Sequence, residues 1–255
     1  MDVTNRFVLD FAARHGGRIL DYGCGAGAAV AAGRARGLDI FGVDVFYGGS
    51  QARADAERAG LLGEAVREIE DGRIPFPGGS FDLVTNNQVM EHVEDLNAVL
   101  AEIHRVLRPG GTVLSLFPSA DVWREGHIGI PFSHRLARGS RLRFYYTWAL
   151  RSVGFGAWKE QAPTAREWAA AKLAWIDAWT HYRLRREILA CYSRYFTSEL
   201  READYIRYRL LDRPSPLRRL LARAAEWPLV GAAGCALFRK LAFLVIVSRK
   251  KERPE

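Results

Sequence analysis

Residues 18–27 are Arg-Ile-Leu-Asp-Tyr-Gly-Cys-Gly-Ala-Gly, and this stretch decides the fold. The apolar pair Ile19 and Leu20 predicts a short buried strand, and three glycines at alternate positions predict a tight turn after it. A helix is predicted over 28–36, so the turn leads into the free N–H groups of a helix N-terminus. Such a site suits a nucleotide-like ligand with an anionic group.

Two alternatives stay open at this point. A plain strand-to-helix turn has the same local pattern. The series Gly23-x-Gly25-x-x-Ala28 also fits the relaxed dinucleotide fingerprint, so the stretch alone does not separate a nicotinamide cofactor from other adenosine ligands.

The chain has 255 residues, of which 49% are hydrophobic and 26% charged, enough for one large domain or a domain with an elaboration. The N-terminus lacks the basic start and apolar run of a signal peptide. The three cysteines, Cys24, Cys191 and Cys235, form no CxxC pair. They therefore predict neither a disulfide framework nor a zinc site, and they favour a cytoplasmic location.

The net charge is +8, and residues 164–223 carry 13 Lys/Arg against 7 Asp/Glu. A basic surface attracts nucleic acid, an anionic membrane or a phosphorylated substrate, although an Arg-rich solvated helical face has the same composition. The uncharged run 227–238 has 12 residues, too few to span a bilayer. Peripheral membrane contact through the basic, aromatic segment stays open as an alternative to a solvated helical face.

Strands and helices alternate over the first half of the chain, which predicts a parallel sheet with helices on both faces. After the first strand, further strands are predicted at 39–45, 65–69, 81–87 and 112–117, and helices at 3–15, 28–36, 50–59 and 95–107. Ligands of such sheets bind at the carboxyl ends of the strands. Gly23, Asp44, Asn87 and Pro118 occupy such ends.

The pattern changes after Ser119. A loop is predicted at 121–139, a helix at 140–153 and a sixth strand at 156–161. Residues 164–211 are strongly helical and aromatic, short helices are predicted at 214–225 and 229–239, and the last strand is predicted at 241–248.

Motifs recur in a fixed order along this framework: ILDYGCGAG at 19–27, FGVD at 41–44, IPFPGGSFDLV at 74–84, QVMEHV at 88–93 and EIHRVLRPGGTVLSLFP at 102–118. The chain thereby resembles the class I S-adenosylmethionine-dependent methyltransferases of the methyltransferase type 11 group, and is similar to ubiquinone-biosynthesis O-methyltransferases. The resemblance covers 18–156 and the last strand. A nicotinamide enzyme has no reason to carry the later motifs at these positions.

The resemblance implies a Rossmann-like α/β fold. Its sheet would be doubly wound, seven-stranded and mostly parallel, with an antiparallel last strand and a helical insertion before that strand. It implies a core domain at 1–163, an insertion at 164–239 that forms a lid over the acceptor, and the last strand with a basic tail at 240–255. The implied cofactor is S-adenosylmethionine.

The resemblance also assigns roles to residues near the cofactor. Asp21 would lie near the ammonium group, directly or through water. Asp44 would accept the ribose hydroxyls, as a carboxylate at a strand end can. Phe46 would flank the adenine, either Glu70 or Asp71 would accept its amino group, and Asn87 and Gln88 would line the methionine end. The cofactor-binding set implied in this way is Asp21, Gly23, Cys24, Gly25, Gly27, Asp44, Val45, Phe46, Glu70, Asp71, Asn87 and Gln88.

Methyl transfer needs proximity, in-line alignment and sometimes a base, so no catalytic triad is expected. His92 is the leading candidate for a base, with a structural histidine as the alternative. His127 and His134 face the same side by topology. Small-RNA 2′-O-methyltransferases bind a divalent metal through ExxEH and a later histidine. Here the series is Gln88-x-x-Glu91-His92, and glutamine is a poorer ligand for a hard cation, so we expect no metal.

The acceptor is expected to be a small-molecule or glycan-type metabolite methylated at oxygen. Two alternatives remain, an RNA methyltransferase and a cofactor-binding scaffold without catalysis. Nucleic acid is the less favoured partner because no separate RNA-binding module is visible. The intact glycine turn with Asp21 and Asp44 speaks against a scaffold.

Overall fold

A seven-stranded sheet forms the centre of the protein, in a computed structural model that describes residues 1–48, 50–213 and 215–252. The strands are β1 Ile19–Tyr22, β2 Ile40–Asp44, β3 Val66–Glu68, β4 Phe81–Asn87, β5 Leu107–Phe117, β6 Phe196–Leu200 and β7 Leu244–Lys250. Their order is β3-β2-β1-β4-β5-β7-β6. Strands β1 to β5 are parallel, and β7 lies antiparallel between β5 and β6. The predicted mostly parallel, doubly wound sheet with an antiparallel last strand is confirmed.

Ten α-helices are present in the described residues. They are α1 Val3–His15, α2 Ala28–Ala35, α3 Ala52–Arg58, α4 Leu96–Val106, α5 Arg141–Ser152, α6 Ala165–Trp179, α7 Arg185–Tyr195, α8 Glu202–Asp212, α9 Pro216–Ala224 and α10 Pro228–Leu241. Short 3₁₀ turns lie at Ser133–Arg135 and Lys159–Gln161. None of these helices is both long enough and apolar enough to cross a bilayer. Pro214, where a predicted helix began, and the end of the predicted tail, 253–255, lie outside the described residues.

Both faces of the sheet are covered, because neighbouring residues of each strand point to opposite sides. All four residues of β1 are buried. Leu20 belongs to the core beneath α4 and α7, whereas Ile19 belongs to the core beneath α1, α2 and α8. Burial on both faces explains why β1 is a continuous apolar run in the sequence and not an alternating one.

Helix α4 forms where the sequence predicts it. The Asp95 carboxylate caps its N-terminus by accepting a hydrogen bond from the Ala98 N–H at 3.0 Å. Leu96, Leu100 and Ile103 follow at helical spacing, and all three are buried against the sheet. The cap and the apolar stripe hold the loop between β4 and α4 in place, and this loop forms one wall of the functional site.

The sixth strand was predicted at the wrong place. Residues 156–161 form no strand: Gly156 and Trp158 have φ of 98° and 52°, and a 3₁₀ turn follows. Strand β6 is instead Phe196–Leu200, inside the segment predicted as continuous helix. This strand has only five residues, and the aromatic helices on both sides of it obscure its alternation in the sequence.

Helices α5 and α6 pack on each other and form a third apolar cluster beside the carboxyl edge of the sheet. Ile128 and Ile130 from the loop after β5 join Trp168, Leu173 and Ile176 of α6 in this cluster. The predicted division into 1–163, 164–239 and 240–255 stays a prediction, and the structure adds that β6 lies within 164–239.

Candidate active site

A cavity of about 560 Å³ opens at the carboxyl ends of β1, β2 and β4. Parallel strands end together at this edge, so the turns that follow them converge on one space. The lining residues come from these turns and from the start of α4: Tyr22, Gly23, Asp44, Val45, Tyr47, Ile69, Gly72, Gln88, Val89, His92, Val93, Glu94, Asp95, Ala98 and Val99.

The glycine turn forms one wall of this cavity. The N–H groups of Gly23 and Cys24 both donate to the Val43 carbonyl, at 2.8 and 3.1 Å, which fixes the turn to β2. Gly23 has φ of 76°, and a Cβ there would lie 2.4 Å from Val89 Cγ2. Only glycine fits at this position, as the sequence predicts.

Two further members of the predicted set, Cys24 and Gly27, lie behind the wall and do not line the cavity. The Cys24 side chain packs toward Gly42, and burial raises the pKa of its thiol. Gly27 adopts the left-handed conformation and caps the N-terminus of α2. Both residues shape the turn from within the fold.

Asp44 lines the cavity at the end of β2. Its two carboxylate oxygens accept hydrogen bonds from the Gly25 N–H at 2.8 Å and the Phe46 N–H at 2.9 Å. Each oxygen keeps further acceptor capacity, so the carboxylate can still receive the two hydroxyls of a ribose. Asp44 thus has a second role that the sequence does not reveal, because it also ties the glycine turn to the second strand.

Asp21 is buried, does not line the cavity, and accepts a hydrogen bond from Thr85 Oγ1 at 2.9 Å. Burial raises the pKa of this carboxyl to about 7, and the negative charge of Asp44 acts in the same direction. An acid held in this way gains stability when a cation approaches it. The position therefore suits the ammonium group of a ligand in the neighbouring cavity.

Of the residues expected around the adenine, some line the cavity and others do not. Val45 is 54% exposed and lines the cavity, and Tyr47 joins it. Phe46 has φ of 44°, is buried in the core beneath α1 and does not line the cavity, so its expected place beside the adenine stays a prediction without support from this geometry. Glu70 and Asp71 are exposed and lie between the lining residues Ile69 and Gly72, at the rim.

Of the two residues expected at the methionine end of the cofactor, one lines the cavity. Gln88 lines the cavity with φ of 58°. Asn87 turns away, since its Nδ2 donates to Asn5 Oδ1 of α1 at 2.9 Å. The structure therefore brings Gln88 to the cavity and uses Asn87 to hold α1 against the sheet.

His92 lines the cavity next to α6. Its Nδ1 lies 2.6 Å from the Trp179 carbonyl, so Nδ1 carries the proton and Nε2 is the unprotonated nitrogen of the neutral ring. Burial lowers the pKa of His92, although the Trp179 carbonyl opposes that shift. A neutral imidazole with a free Nε2 can accept a proton near neutral pH.

His127 lies beside His92, with ring centroids 5.0 Å apart. Its Nδ1 lies 2.8 Å from Oε1 of Glu125, whose side chain is fully buried, and the Tyr182 hydroxyl donates to the same oxygen at 2.6 Å. Burial alone would raise the pKa of Glu125, but these two hydrogen bonds outweigh it and keep the carboxyl ionised. Burial lowers the pKa of His127, whereas the hydrogen bond to Glu125 and the charge of Glu125 raise it more. The pKa of His127 therefore lies above its usual value.

Glu125 is a site residue that the sequence did not predict. This residue and Tyr182 lie 57 positions apart, and no local pattern links them. His134 contacts Tyr182 with a ring separation of 5.2 Å, while its Nε2 lies 3.2 Å from the Ala120 carbonyl.

Glu91, His92 and His127 form a group whose ligand atoms lie within 4.8 Å of one another. Both Glu91 oxygens are buried without a hydrogen-bond partner among the described residues, and burial raises the pKa of this carboxyl to about 7. Two imidazoles and a carboxylate could hold a divalent transition metal. Gln88, the first position of the motif, lies outside this group, and its Nε2 lies 3.4 Å from the Leu116 carbonyl.

Comparison with known proteins agrees with this geometry. Residues 20–115 match the family model described as "Methyltransferase domain". The ubiquinone biosynthesis O-methyltransferase of Pectobacterium atrosepticum is 29% identical over 120 residues, 46% of this chain and 50% of that protein. The malonyl-[acyl-carrier protein] O-methyltransferase of Serratia marcescens is 32% identical over 133 residues, 49% of this chain and 50% of that protein. The chain spans about half the length of the curated relatives it matches.

The fold is shared with solved structures of low sequence identity. An S-adenosylmethionine-dependent methyltransferase from Mesorhizobium loti has a TM-score of 0.52 and 17% identity, with 98% of each chain covered. A protein from Pyrococcus horikoshii also has a TM-score of 0.52, with 13% identity over 97% of this chain and 88% of that one.

The sheet order and the cavity at its carboxyl edge are those of a Rossmann-like fold. The family match shows that residues 20–115 form a methyltransferase domain, which is similar to the class I S-adenosylmethionine-dependent methyltransferases and whose cofactor is S-adenosylmethionine. The residues at the cavity fit this cofactor, because the Gly23 turn lines the cavity and Asp44 presents acceptors for a ribose.

Proposed function

We propose that this protein transfers the methyl group of S-adenosylmethionine to an oxygen atom of a small-molecule or glycan-type acceptor. One observation carries the proposal: a single cavity borders both the glycine turn with Asp44 and the imidazole of His92. The glycine turn and Asp44 suit a nucleoside, and the His92 imidazole suits the acidic proton of a second substrate. The choice of oxygen rests on the names of the O-methyltransferases to which the chain is similar.

The chemistry is a direct in-line displacement. S-adenosylmethionine, held by the glycine turn and Asp44, would supply an electrophilic methyl group. The acceptor oxygen would form a bond to the methyl carbon as the carbon–sulfur bond breaks, and the electron pair of that bond would stay on sulfur. The hydroxyl proton passes to His92 Nε2, whose tautomer is set by the Trp179 carbonyl. Positioning supplies most of the rate, since the sulfonium is already a strong electrophile.

We further propose that α6 forms the acceptor wall of the predicted lid. Trp179 at its C-terminal end lies over Tyr47 of the cavity lining, with ring centroids 4.8 Å apart. Trp175 contacts both imidazoles, at 6.2 Å from His92 and 5.2 Å from His127. These contacts join the helical segment to the cavity at the side opposite the glycine turn.

Calorimetric titration tests the cofactor half of the proposal. S-adenosylmethionine and its demethylated product should bind at micromolar concentration, and NAD should not. Asp44→Ala should lose this binding, whereas Asp39→Ala, at an exposed acid just before the same strand, should keep it. Binding of NAD in place of S-adenosylmethionine would overturn the proposal, and absence of both would favour a scaffold.

A screen with radiolabelled methyl donor tests the acceptor half. Trp175→Ala should leave cofactor binding intact and reduce acceptor turnover, and Trp148→Ala, on the exposed side of α5, should leave both unchanged. If labelled methyl enters RNA and a salt-sensitive RNA complex forms, the RNA methyltransferase alternative replaces the metabolite acceptor. A cytoplasmic location is part of the proposal and rests on the three free cysteines.

A further inference from the structure

We propose that helices α9 and α10 form a surface that docks on an anionic lipid membrane. This α9–α10 surface comprises residues 216–241. The inference concerns where the protein works and is independent of the proposed methyl transfer.

Helix α9 turns its apolar stripe away from the protein. Leu217, Leu220 and Leu221 share one face at helical spacing and are 64%, 63% and 47% exposed. Ala222, on the opposite side, is the buried residue of this helix. A surface helix of a globular protein normally has the reverse arrangement, with its apolar face on the core. The stripe of α9 therefore lacks the apolar environment that its composition suits.

Helix α10 is apolar on all sides from Pro228 to Phe238, and none of its residues is fully buried. The run from Trp227 to Phe238 has no charged side chain. Leu229 is 87% exposed and Leu237 is 49% exposed, and the helix has no buried residue. A helix with this composition is usually found in a protein core or in contact with lipid. Helices α9 and α10 both pack on α8 and line one cavity, so the two helices are neighbours on the surface.

The charge of this region favours anionic lipid as the occupant. Residues 207–241 carry eight Lys/Arg and two Asp/Glu. Arg218 and Arg223 flank the apolar stripe, Arg219 lies on the far side of the helix, and within the described part of the chain the three form no ion pair. A second copy of the protein would bring like charges together, whereas anionic headgroups attract such arginines.

The dimensions favour a helix pair that lies in the membrane interface. Helices α9 and α10 have 9 and 14 residues, fewer than a bilayer span requires. Trp227, at the junction between them, is 71% exposed. Tryptophan is enriched at the level of lipid headgroups, and a basic amphipathic helix binds there through its apolar face.

The α9–α10 surface includes only the end of segment 164–223, to which the sequence assigned the membrane contact. The aromatic side chains Trp168, Tyr192 and Tyr205 of that segment are buried in the fold and are not available to lipid. Only α9 of the predicted segment presents an exposed apolar face, and α10 extends this face beyond it.

Vesicle flotation of the full-length protein tests the proposal. Wild-type protein should float with vesicles of phosphatidylcholine containing about one third phosphatidylglycerol, and much less with phosphatidylcholine alone. Leu220→Glu and Leu229→Glu should each reduce the bound fraction by more than about tenfold, since each removes an apolar contact and adds a charge that anionic lipid repels. Arg218→Ala with Arg219→Ala should weaken binding most at low salt.

Leu142→Glu is the matched control, because Leu142 is 67% exposed on α5 and lies outside the surface. Thermal unfolding of each variant shows whether it folds. Failure of wild type to float on phosphatidylglycerol vesicles overturns the proposal, as does an equal loss in Leu142→Glu. If Leu229→Glu instead converts a dimer to a monomer in light scattering, with no vesicle binding by wild type, the surface is a contact between copies of this chain.

Discussion

Replacing Asp21 with asparagine should stabilise the unliganded protein above pH 7 and weaken its binding of S-adenosylmethionine. The Asp21 carboxyl is 7% exposed and has one hydrogen bond, from Thr85 Oγ1. Burial raises its pKa from 3.8 to about 7. A rise of roughly 3 units means that ionisation of this group costs the folded state about 4 kcal/mol.

The sign follows from the direction of the shift. Because the folded pKa lies above the unfolded one, the neutral carboxyl favours the folded state, and this contribution is lost as the pH rises toward 7. Asparagine is neutral at every pH and can still accept from Thr85. The variant should therefore match wild type near pH 4 and exceed its free energy of unfolding by up to about 4 kcal/mol at pH 8.

Binding should change in the opposite direction. The ionised carboxylate would stabilise the ammonium group of S-adenosylmethionine, and loss of a hydrogen bond to a charged group costs about 1.5–3 kcal/mol. The Kd of the Asp21→Asn variant should rise about 10- to 100-fold at pH 8. Urea unfolding across this pH range and calorimetric titration at pH 8 measure the two effects separately.

Asp82→Asn provides the contrasting variant. The pKa of Asp82 is lowered by the Arg18 N–H and by Arg108, so its ionised form favours the folded state and asparagine should destabilise the protein at pH 8. The reasoning about Asp21 is refuted if Asp21→Asn is less stable than wild type at pH 8, or if its Kd for S-adenosylmethionine is unchanged.

Three further predictions concern the cavity. Gly23→Ala should abolish cofactor binding in calorimetry, because its Cβ would meet Val89, whereas Gly37→Ala, with a similar φ of 79° and open space, should bind normally; equal loss in both would assign the effect to backbone strain alone. Burial lowers the pKa of His92 below 6.5, so the transfer rate at saturating cofactor should be constant above pH 7 and should fall at acidic pH. His92→Ala should lower the transfer rate about 10²- to 10⁴-fold. If the rate of this variant still falls at acidic pH in the same way, His92 is excluded as the base. EDTA should leave transfer unchanged, since Gln88 lies outside the imidazole–carboxylate group; a loss restored by Mn²⁺ or Zn²⁺ would make that group a metal site.

Local sequence was sufficient where an element depends on its own residues. The apolar run of β1, the Asp95 cap and the stripe of α4 each predict one element, and the structure has each of them. The same holds for Asp44, because a polar residue at the end of a buried strand must lie at the carboxyl edge of the sheet. The burial of Phe46 was not predictable in this way, because its left-handed φ of 44° belongs to a backbone conformation that no pattern in the sequence indicates.

The sequence by itself determined the α/β fold class, the doubly wound sheet and the glycine turn, since these follow from short-range periodicity and from residues within one strand–turn–helix unit. Only the tertiary structure decided which distant residues meet. It placed Glu125 and Tyr182 on His127, inserted β6 beside β7, and left the apolar faces of α9 and α10 outward. The physical reason is that a helical or strand period fixes which face of an element is apolar, whereas the packing of the whole chain fixes what that face contacts.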